Sequence, residues 1–249
     1  MEQMAPGGLF LIFGLICGAA INYFADVMPF KRRLSQPWCQ KCEKSRTWKR
    51  YFLLLPCEEC NHNRTLRVFL VQLGFPIISI VTGIFPPLRF NSFLGVLLLA
   101  YFALVMVIDI EHRLVLNPTI IAGIIIGSLV GLSLHGLLST ILGGTAGFLF
   151  MFLLYYFGIA FSKWMSRLRH ETIDEVALGY GDVNLSGVLG LLLGWPGITA
   201  GIFLAIMIGG AASLVILVIA KVRGTYKLFT PIPYAPFLII SALLLLFRP

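Results

Sequence analysis

The long apolar runs of this chain constrain its fold more than any other feature. Each run is about 17 to 25 residues long, the length of a helix that crosses about 30 Å of hydrocarbon. Of the 249 residues, 58% are hydrophobic and only 12% are charged, and the mean hydropathy of +0.91 lies outside the range of soluble domains. The runs also lack the period-two alternation of a transmembrane β-barrel. The sequence therefore predicts an all-α, polytopic bundle of transmembrane helices.

Charged, proline and glycine clusters divide these runs into about eight candidate spans. The first span is followed by a basic segment and not by a small-residue cleavage site, so we expect it to stay in the protein as a helix. The sixth is the shortest, and the sequence does not decide whether it crosses the membrane or re-enters on one side. The spans lie near residues 9–29, 68–85, 92–110, 115–134, 137–161, 183–195, 198–220 and 231–247.

The basic residues predict the orientation in the membrane. If the amino terminus lies outside the cytoplasm, the segments 30–67, 111–114, 162–182 and 221–230 are all cytoplasmic. These four segments contain 17 of the 19 Lys and Arg residues. Basic residues concentrate on the cytoplasmic side of membrane proteins, so we expect this orientation. The net charge of +8 is then explained by the orientation of the chain in the lipid membrane. No nucleic-acid partner is expected.

The segment 30–67 carries four cysteines in two pairs. The pairs are Cys39 with Cys42 and Cys57 with Cys60, and 14 residues separate them. Four thiolates at this spacing can close a tetrahedral zinc site, and a reducing cytoplasm disfavours two disulfides. We interpret the zinc as structural, because four cysteines leave no open position and the segment is too small to fold around its own core. The fifth cysteine, Cys17, is expected to pack within an apolar run.

Acidic residues at membrane depth are costly, and each requires an explanation. Asp109 ends the third span and Asp182 opens the sixth, so the predicted topology brings both to the cytoplasmic boundary. When two carboxylates share a poorly hydrated site, one keeps its proton and the other acts as a base, which is aspartic-protease chemistry. Gly179 and Gly181 allow close approach of a substrate backbone. Taken singly, either aspartate could instead pair with Arg113 or cap a helix.

Two other groups of acidic residues have simpler interpretations. Asp26 lies close to the basic residues 31–33, and we expect it to be their local partner. Glu171, Asp174 and Glu175 form a cluster that is typical of a solvated loop, with attraction of a basic substrate segment as the alternative.

Five motifs follow one another along the chain. They are GLICGAAIN at 14–22, the two cysteine pairs, DIEHRLVLN at 109–117, GYGDV at 179–183 with Gly-Trp at 194–195, and IPYAPFL at 232–238. In this order they resemble the type IV prepilin peptidase family, bacterial aspartic membrane proteases that carry a G-x-G-D string. The resemblance covers nearly the whole chain.

The resemblance implies an activity, a substrate and a location. A member of this family removes the basic leader of prepilin or pseudopilin precursors just after a glycine, at the cytoplasmic edge of their hydrophobic segment. Asp109 and Asp182 would be the catalytic residues, supported by Gly179 and Gly181, in a bacterial cytoplasmic membrane. The expected domains are a first transmembrane helix at 1–29, the cytoplasmic four-cysteine zinc segment at 30–67 and a transmembrane aspartic peptidase domain at 68–249.

The chain also departs from the family pattern. Ala19 replaces the usual Ser, Leu116 and Asn117 replace Pro-Asp, and Asn184 replaces a Lys, but none of these changes removes a catalytic carboxylate. Many family members also methylate the new amino terminus with S-adenosylmethionine. Gln72 stands where an acidic residue is usual, and there is no glycine-rich nucleotide fingerprint. Methylation is therefore left open, and no residue is assigned to bind S-adenosylmethionine.

Three other functions compete with this interpretation. An intramembrane protease of the presenilin and signal-peptide-peptidase type also uses a G-x-G-D aspartate, but the cysteine segment and the lack of a P-A-L string near the carboxyl terminus argue against it. A proton-coupled transporter would spread its carboxylates through the membrane depth, whereas these two are expected at one face. A zinc-stapled membrane scaffold without catalytic chemistry is the third.

Overall fold

The protein is an assembly of helices. The computed structural model describes residues 7–31, 34–39, 41–169, 179–224 and 233–247. Within these ranges there is no β-strand, only one isolated bridge between Trp38 and Ser45. The helices are α1 (Gly7–Lys31), α2 (Trp48–Phe52), α3 (Leu66–Ile84), α4 (Ser92–His112), α5 (Asn117–Arg169), α6 (Tyr180–Leu193), α7 (Gly197–Val222) and α8 (Ala235–Leu246). The predicted all-α class is confirmed.

The apolar helices correspond to the predicted spans. By length and composition α1, α3, α4, α5 and α7 could each cross a membrane, and α6 and α8 are shorter apolar helices. α5 contains a break at Gly136, whose φ of 76° and ψ of 173° are not helical, so its two parts match the predicted spans at 115–134 and 137–161. Counted this way, the described residues contain eight apolar helices, as predicted.

The sixth span is short, as expected, but it begins earlier than predicted. α6 has 14 residues, which at a rise of 1.5 Å per residue is roughly 21 Å and falls short of about 30 Å of hydrocarbon. It begins at Tyr180 and not at residue 183, so Asp182 lies inside its first turn. It ends at Leu193 and is followed by Gly194, whose φ of 63° favours glycine.

The chain packs as two compact units, one up to His112 and one from Arg113 onward. The predicted boundaries at residues 29 and 67 stay a prediction. In the first unit α1 packs closely on α3, because a Cβ at Gly14 would lie 2.6 Å from the Cα of Pro76. The Ser79 hydroxyl adds a hydrogen bond of 2.8 Å to the carbonyl oxygen of Phe10.

One apolar cluster of the first unit joins three of its helices. It is formed by buried residues of α1, α3 and α4, namely Phe10, Cys17, Ile21, Phe75 and Val96. The predicted packing role of Cys17 is confirmed. Close van der Waals packing of such side chains and of small residues holds transmembrane helices together, because lipid tails are as apolar as the side chains and burial between helices gains little.

In the second unit α5 and α6 cross with their backbones nearly in contact. A Cβ at Gly190 would lie 2.1 Å from the carbonyl oxygen of Gly143, and one at Gly143 would lie 2.4 Å from that of Gly190. Glycine is therefore required on both helices at this crossing. Beyond the end of α6, the backbone N–H of Trp195 donates to the Ser139 hydroxyl at 3.0 Å, and that hydroxyl donates to the Trp195 carbonyl at 2.8 Å. These contacts fix the short α6, which carries Asp182.

Candidate active site and metal centre

Asp109 belongs to the first unit and lies in the last turn of α4. Only 4% of its surface is exposed. The preceding turn of the same apolar helix buries Val105 and Ile108. A carboxylate held among such side chains is costly, and in a membrane protein it marks a functional site by default.

Asp182 belongs to the second unit and lies in the first turn of α6, where it is 7% exposed. The backbone N–H of Gly179 donates a hydrogen bond of 3.2 Å to its Oδ2 atom. A carboxylate at this position also lies at the positive end of the helix dipole, which stabilises negative charge. The local sequence thus fixes one oxygen of Asp182, since the residue before the helix donates to the third residue within it.

The two glycines before Asp182 differ in their surroundings. A Cβ at Gly181 would lie 2.8 Å from the Cβ of Val115, in the short connection between α4 and α5. A Cβ at Gly179 would meet only Asp182 Oδ2 at 3.4 Å, which is an ordinary contact. Packing therefore requires glycine at position 181, while position 179 has room for a side chain. Whether either glycine supports catalysis stays a prediction.

The four cysteines of the predicted zinc segment come together. Their sulfur atoms all lie within 4.8 Å of one another, with 3.6 Å from Cys39 to Cys60 and 3.6 Å from Cys42 to Cys57. All four are free thiols. A tetrahedral ion with metal–sulfur bonds of about 2.3 Å requires sulfur atoms roughly 3.8 Å apart. The donor set therefore fits a four-coordinate metal ion, and the predicted ligand residues form one cluster.

Two similar turns build this cluster. After Cys39, the N–H of Glu43 donates to the Cys39 carbonyl at 2.9 Å, and after Cys57 the N–H of Asn61 donates to the Cys57 carbonyl at 3.1 Å. Glu43 and Asn61 both have positive φ, 56° and 50°. Each C-x2-C pair is thus folded into the same tight turn, which points both of its sulfur atoms to one place.

Arg46 makes the cluster favourable for thiolates. Burial opposes ionisation of Cys39, but a hydrogen bond from the Arg46 guanidinium and backbone N–H groups lower the pKa of Cys39 to about 5. At Cys42 a backbone hydrogen bond favours the thiolate, yet desolvation and the neighbouring cysteines raise the pKa. Without a bound cation, Cys39 therefore ionises more readily than Cys42. Metal ligation requires thiolates, so one ligand is prepared in advance.

Asp26 forms a buried ion-pair network that the sequence did not reveal. Its Oδ2 atom accepts hydrogen bonds from the Tyr51 hydroxyl at 2.6 Å and from Arg64 Nη1 at 3.3 Å, and its Oδ1 atom accepts one from Arg67 Nη2. Arg67 Nε also donates to Glu111 Oε1 at 2.9 Å. Burial and the Asp26 carboxylate raise the pKa of Tyr51, so it remains a donor. The network joins α1, the cysteine segment, α3 and the end of α4.

The prediction that Asp26 pairs with the basic residues 31–33 is therefore wrong for Lys31, the one of the three that the structure describes. Lys31 does not pair with Asp26 but lies over the Trp38 ring, 4.4 Å from its centroid. Asp26 faces α3 and α2 because those elements pack against that side of α1. Residues 32 and 33 lie outside the described residues, as does the cluster of Glu171, Asp174 and Glu175. The only sequence signal for this network was a carboxylate in an apolar helix that needed a cation.

Fold and site together define a polytopic helical membrane protein with buried aspartates at helix ends and a four-cysteine metal-binding segment. Residues 96–214 match the model of the type IV leader peptidase family, and this stretch contains both Asp109 and Asp182. The predicted resemblance to type IV prepilin peptidases is thereby confirmed for this part of the chain. The match does not extend to the four cysteines.

Individual relatives agree with the family match. A protein of Burkholderia pseudomallei named prepilin leader peptidase/N-methyltransferase is 30% identical over 100 residues, 40% of this chain and 28% of the relative. A protein of Salmonella typhimurium named leader peptidase HopD is 34% identical over 87 residues, 34% of this chain and 52% of the relative. This chain thus aligns with about a quarter to a half of their length. No solved structure gives a significant match.

Proposed function

We propose that this protein is a membrane aspartic endopeptidase that removes the basic leader from type IV prepilin-like precursors at the cytoplasmic face of a bacterial inner membrane. The observation that carries the proposal is the family match at 96–214, which contains both Asp109 and Asp182. In support, each of these carboxylates is buried at the end of an apolar helix, where a carboxylate is costly and marks a functional site by default.

The chemistry follows from sharing one proton between two carboxyl groups. The ionised aspartate takes a proton from a bound water, and the water oxygen attacks the scissile carbonyl carbon. The protonated aspartate donates to the carbonyl oxygen, and the C–N bond then breaks as the leaving amine takes up a proton. The hydrogen bond from the Gly179 N–H to Asp182 Oδ2 helps to orient that side chain. Gly179 leaves room for the precursor backbone, whereas Gly181 is packed against Val115 and keeps α6 close to the connection between α4 and α5.

The expected topology suits a precursor with a basic leader. Such a leader stays in the cytoplasm, because translocating Lys and Arg is unfavourable. The scissile bond then lies where the hydrophobic segment of the precursor meets the cytoplasmic headgroups. Asp109 and Asp182 are expected at that same depth. Their meeting in one hydrated pocket is part of the proposal.

We assign the cysteine cluster to structural zinc. Four thiolates at the observed sulfur distances fill the coordination shell of Zn²⁺ and leave no position for a reacting water. The metal's contribution is to fold the segment between α1 and α3, which contains only one short helix. Cys39, Cys42, Cys57 and Cys60 would hold it.

N-methylation is a second candidate activity, favoured by the printed name of the Burkholderia relative. Gln72, in the position where the family usually has an acidic residue, accepts a hydrogen bond from Asn22 at 3.4 Å and donates to the Leu15 carbonyl at 3.2 Å. It is thus engaged in joining α3 to α1. The mass of the mature amino terminus decides this activity, since each methyl group adds about 14 Da as simple chemistry and no added mass excludes it.

The peptidase proposal is tested with purified protein in lipid nanodiscs and a prepilin precursor. We expect wild-type protein to shorten the precursor after a glycine, and Asp109→Asn and Asp182→Asn to leave it intact. Glu111→Gln is the matched control, because it neutralises a carboxylate two residues from Asp109. Cleavage by both asparagine variants would exclude the proposed catalytic pair. Proton transport without cleavage by the wild type would favour the transporter instead.

A further inference from the structure

The cysteine segment exposes apolar side chains that a cytoplasmic segment of this size does not need. On α2 and just after it, Trp48, Phe52 and Leu53 are 42%, 52% and 69% exposed. The Trp48 and Phe52 rings stack on each other, 5.8 Å apart with an angle of 18°. Tyr51, one position before Phe52, is buried. α2 therefore packs inward through Tyr51, while Trp48 and Phe52 form an aromatic face that the described residues leave partly exposed.

Contacts with α1 give the depth of this aromatic face. The Trp48 ring lies 5.2 Å from the ring of Tyr23, and the Tyr23 hydroxyl donates to the Ser35 carbonyl at 2.6 Å. Tyr23 lies two turns before the end of α1 at Lys31, inside the predicted span 9–29. The aromatic face therefore lies beside the last turns of a transmembrane helix. This is the level where Trp and Tyr concentrate in membrane proteins.

The charges on α2 suit a lipid surface. Lys49 and Arg50 lie between the two exposed aromatic residues in the sequence W-K-R-Y-F. Arg50 pairs with Glu58 at 3.1 Å, so Lys49 is the exposed cation of α2 for which the described residues show no ion pair. Basic residues beside inserted aromatic side chains bind the phosphates of anionic lipids, and the cytoplasmic leaflet carries such lipids. The inward side is anchored by Tyr51, which bonds to Asp26 and lies under the Arg64 guanidinium, 3.9 Å from its ring centroid. The orientation of α2 is thus fixed by the protein and not by the lipid.

We propose that α2 and Leu53 form an interfacial anchor that inserts into the anionic headgroup region of the cytoplasmic leaflet. The four-cysteine segment is then held against the membrane and not free in the cytoplasm. The proposal rests on α1 crossing the membrane, and it does not depend on peptidase activity. A lipid surface is favoured over a protein partner because the face lies beside Tyr23 near the end of α1, and because α2 also carries the exposed cation Lys49.

The test uses a photoreactive residue, p-benzoylphenylalanine, placed at Leu53 or at Glu59 in the full-length protein. Glu59 is exposed on the second metal-binding turn and pairs with Lys44. Zinc content and size-exclusion profile show that each variant is folded. The proteins are placed in nanodiscs of phosphatidylcholine with or without phosphatidylglycerol and irradiated, and covalent lipid adducts are measured by mass spectrometry. Lys49→Glu combined with Arg50→Glu tests the contribution of charge.

We expect several-fold more lipid adduct from position 53 than from position 59. We also expect the adduct at 53 to increase with phosphatidylglycerol, and this increase to be lost when Lys49 and Arg50 are both replaced by Glu. Equal or absent lipid adducts at the two positions would overturn the anchor. A cross-link from position 53 to a second copy of the chain would also overturn it, because the face would then be a protein interface.

Discussion

Replacement of Asp26 by Ala should destabilise the first unit more than any change at its surface. The carboxylate is bound by Tyr51, Arg64 and Arg67, and the side chains of Asp26 and Arg64 are each only 6% exposed. Asp26→Ala leaves the Arg64 guanidinium buried without its counter-charge and leaves Arg67 paired with Glu111 alone. Breaking one partner of a buried ion pair costs about 3–5 kcal/mol. Tyr51→Phe removes a single hydrogen bond to a charged group and should cost less, about 1.5–3 kcal/mol.

The assay is equilibrium unfolding in mixed detergent micelles, followed by the reactivity of Cys17. This thiol lies in the apolar core of the same unit and becomes accessible only when α1, α3 and α4 separate. Cys17→Ser protein serves as the blank, because any thiol reactivity that it shows comes from the four cysteines of the metal-binding cluster. Glu59→Ala is the control, since it breaks an exposed ion pair with Lys44 and should hardly change the free energy of unfolding. An unfolding free energy for Asp26→Ala equal to that of Glu59→Ala would refute the reasoning.

Three further substitutions probe packing and metal binding. Gly190→Ala should destabilise the second unit by about 1–3 kcal/mol, because its Cβ would meet the α5 backbone at 2.1 Å. Gly158→Ala is the control and should be neutral in the same detergent titration, because a Cβ at Gly158 would meet open space. Cys39→Ser should release zinc as measured by atomic emission, whereas Cys17→Ser should retain it. Gly181→Ala should lower the rate of precursor cleavage about 100-fold by displacing Asp182, and an unchanged rate would show that the contact with Val115 relaxes at no cost.

Acidification gives a further expectation for the metal. Cys39 has a pKa lowered to about 5, so its thiolate persists above that pH and is protonated below it. Protons compete with the metal for thiolate ligands. Zinc should therefore stay bound at neutral pH and be released progressively on acidification, measured with a chromogenic chelator. The same zinc content and acid release in Cys39→Ser protein would show that Cys39 does not hold the metal.

The helices were predictable because the membrane imposes their length. Backbone groups in hydrocarbon must form their hydrogen bonds within the protein, so an apolar run long enough to cross the membrane predicts a helix. The third span was predicted at 92–110 and α4 runs from Ser92 to His112. The cysteine cluster was predictable for a similar reason, since two residues between cysteines fit one tight turn. In both cases the constraint acts over a few neighbouring residues.

The Asp26 network was not predictable because its partners are distant in sequence. Arg64 and Arg67 are 38 and 41 residues away from Asp26, and Tyr51 is 25 residues away. The sequence showed that a buried carboxylate needs a cation, but the choice among many basic residues depends on how α1, α2 and α3 pack. The same holds for Asp109 and Asp182. Their burial was expected from their positions at the ends of spans, and their convergence stays a prediction.

The proposed function depends on the prediction that Asp109 and Asp182 converge on one pocket at the cytoplasmic face. It is tested most directly by cross-linking Asp109→Cys to Asp182→Cys with a short bifunctional thiol reagent, in zinc-loaded protein that lacks Cys17. We expect an intramolecular cross-link between positions 109 and 182, and none between 109 and a cysteine at Leu138, which the topology puts at the opposite membrane face. A cross-link of 109 to 138 but not to 182 would contradict the account.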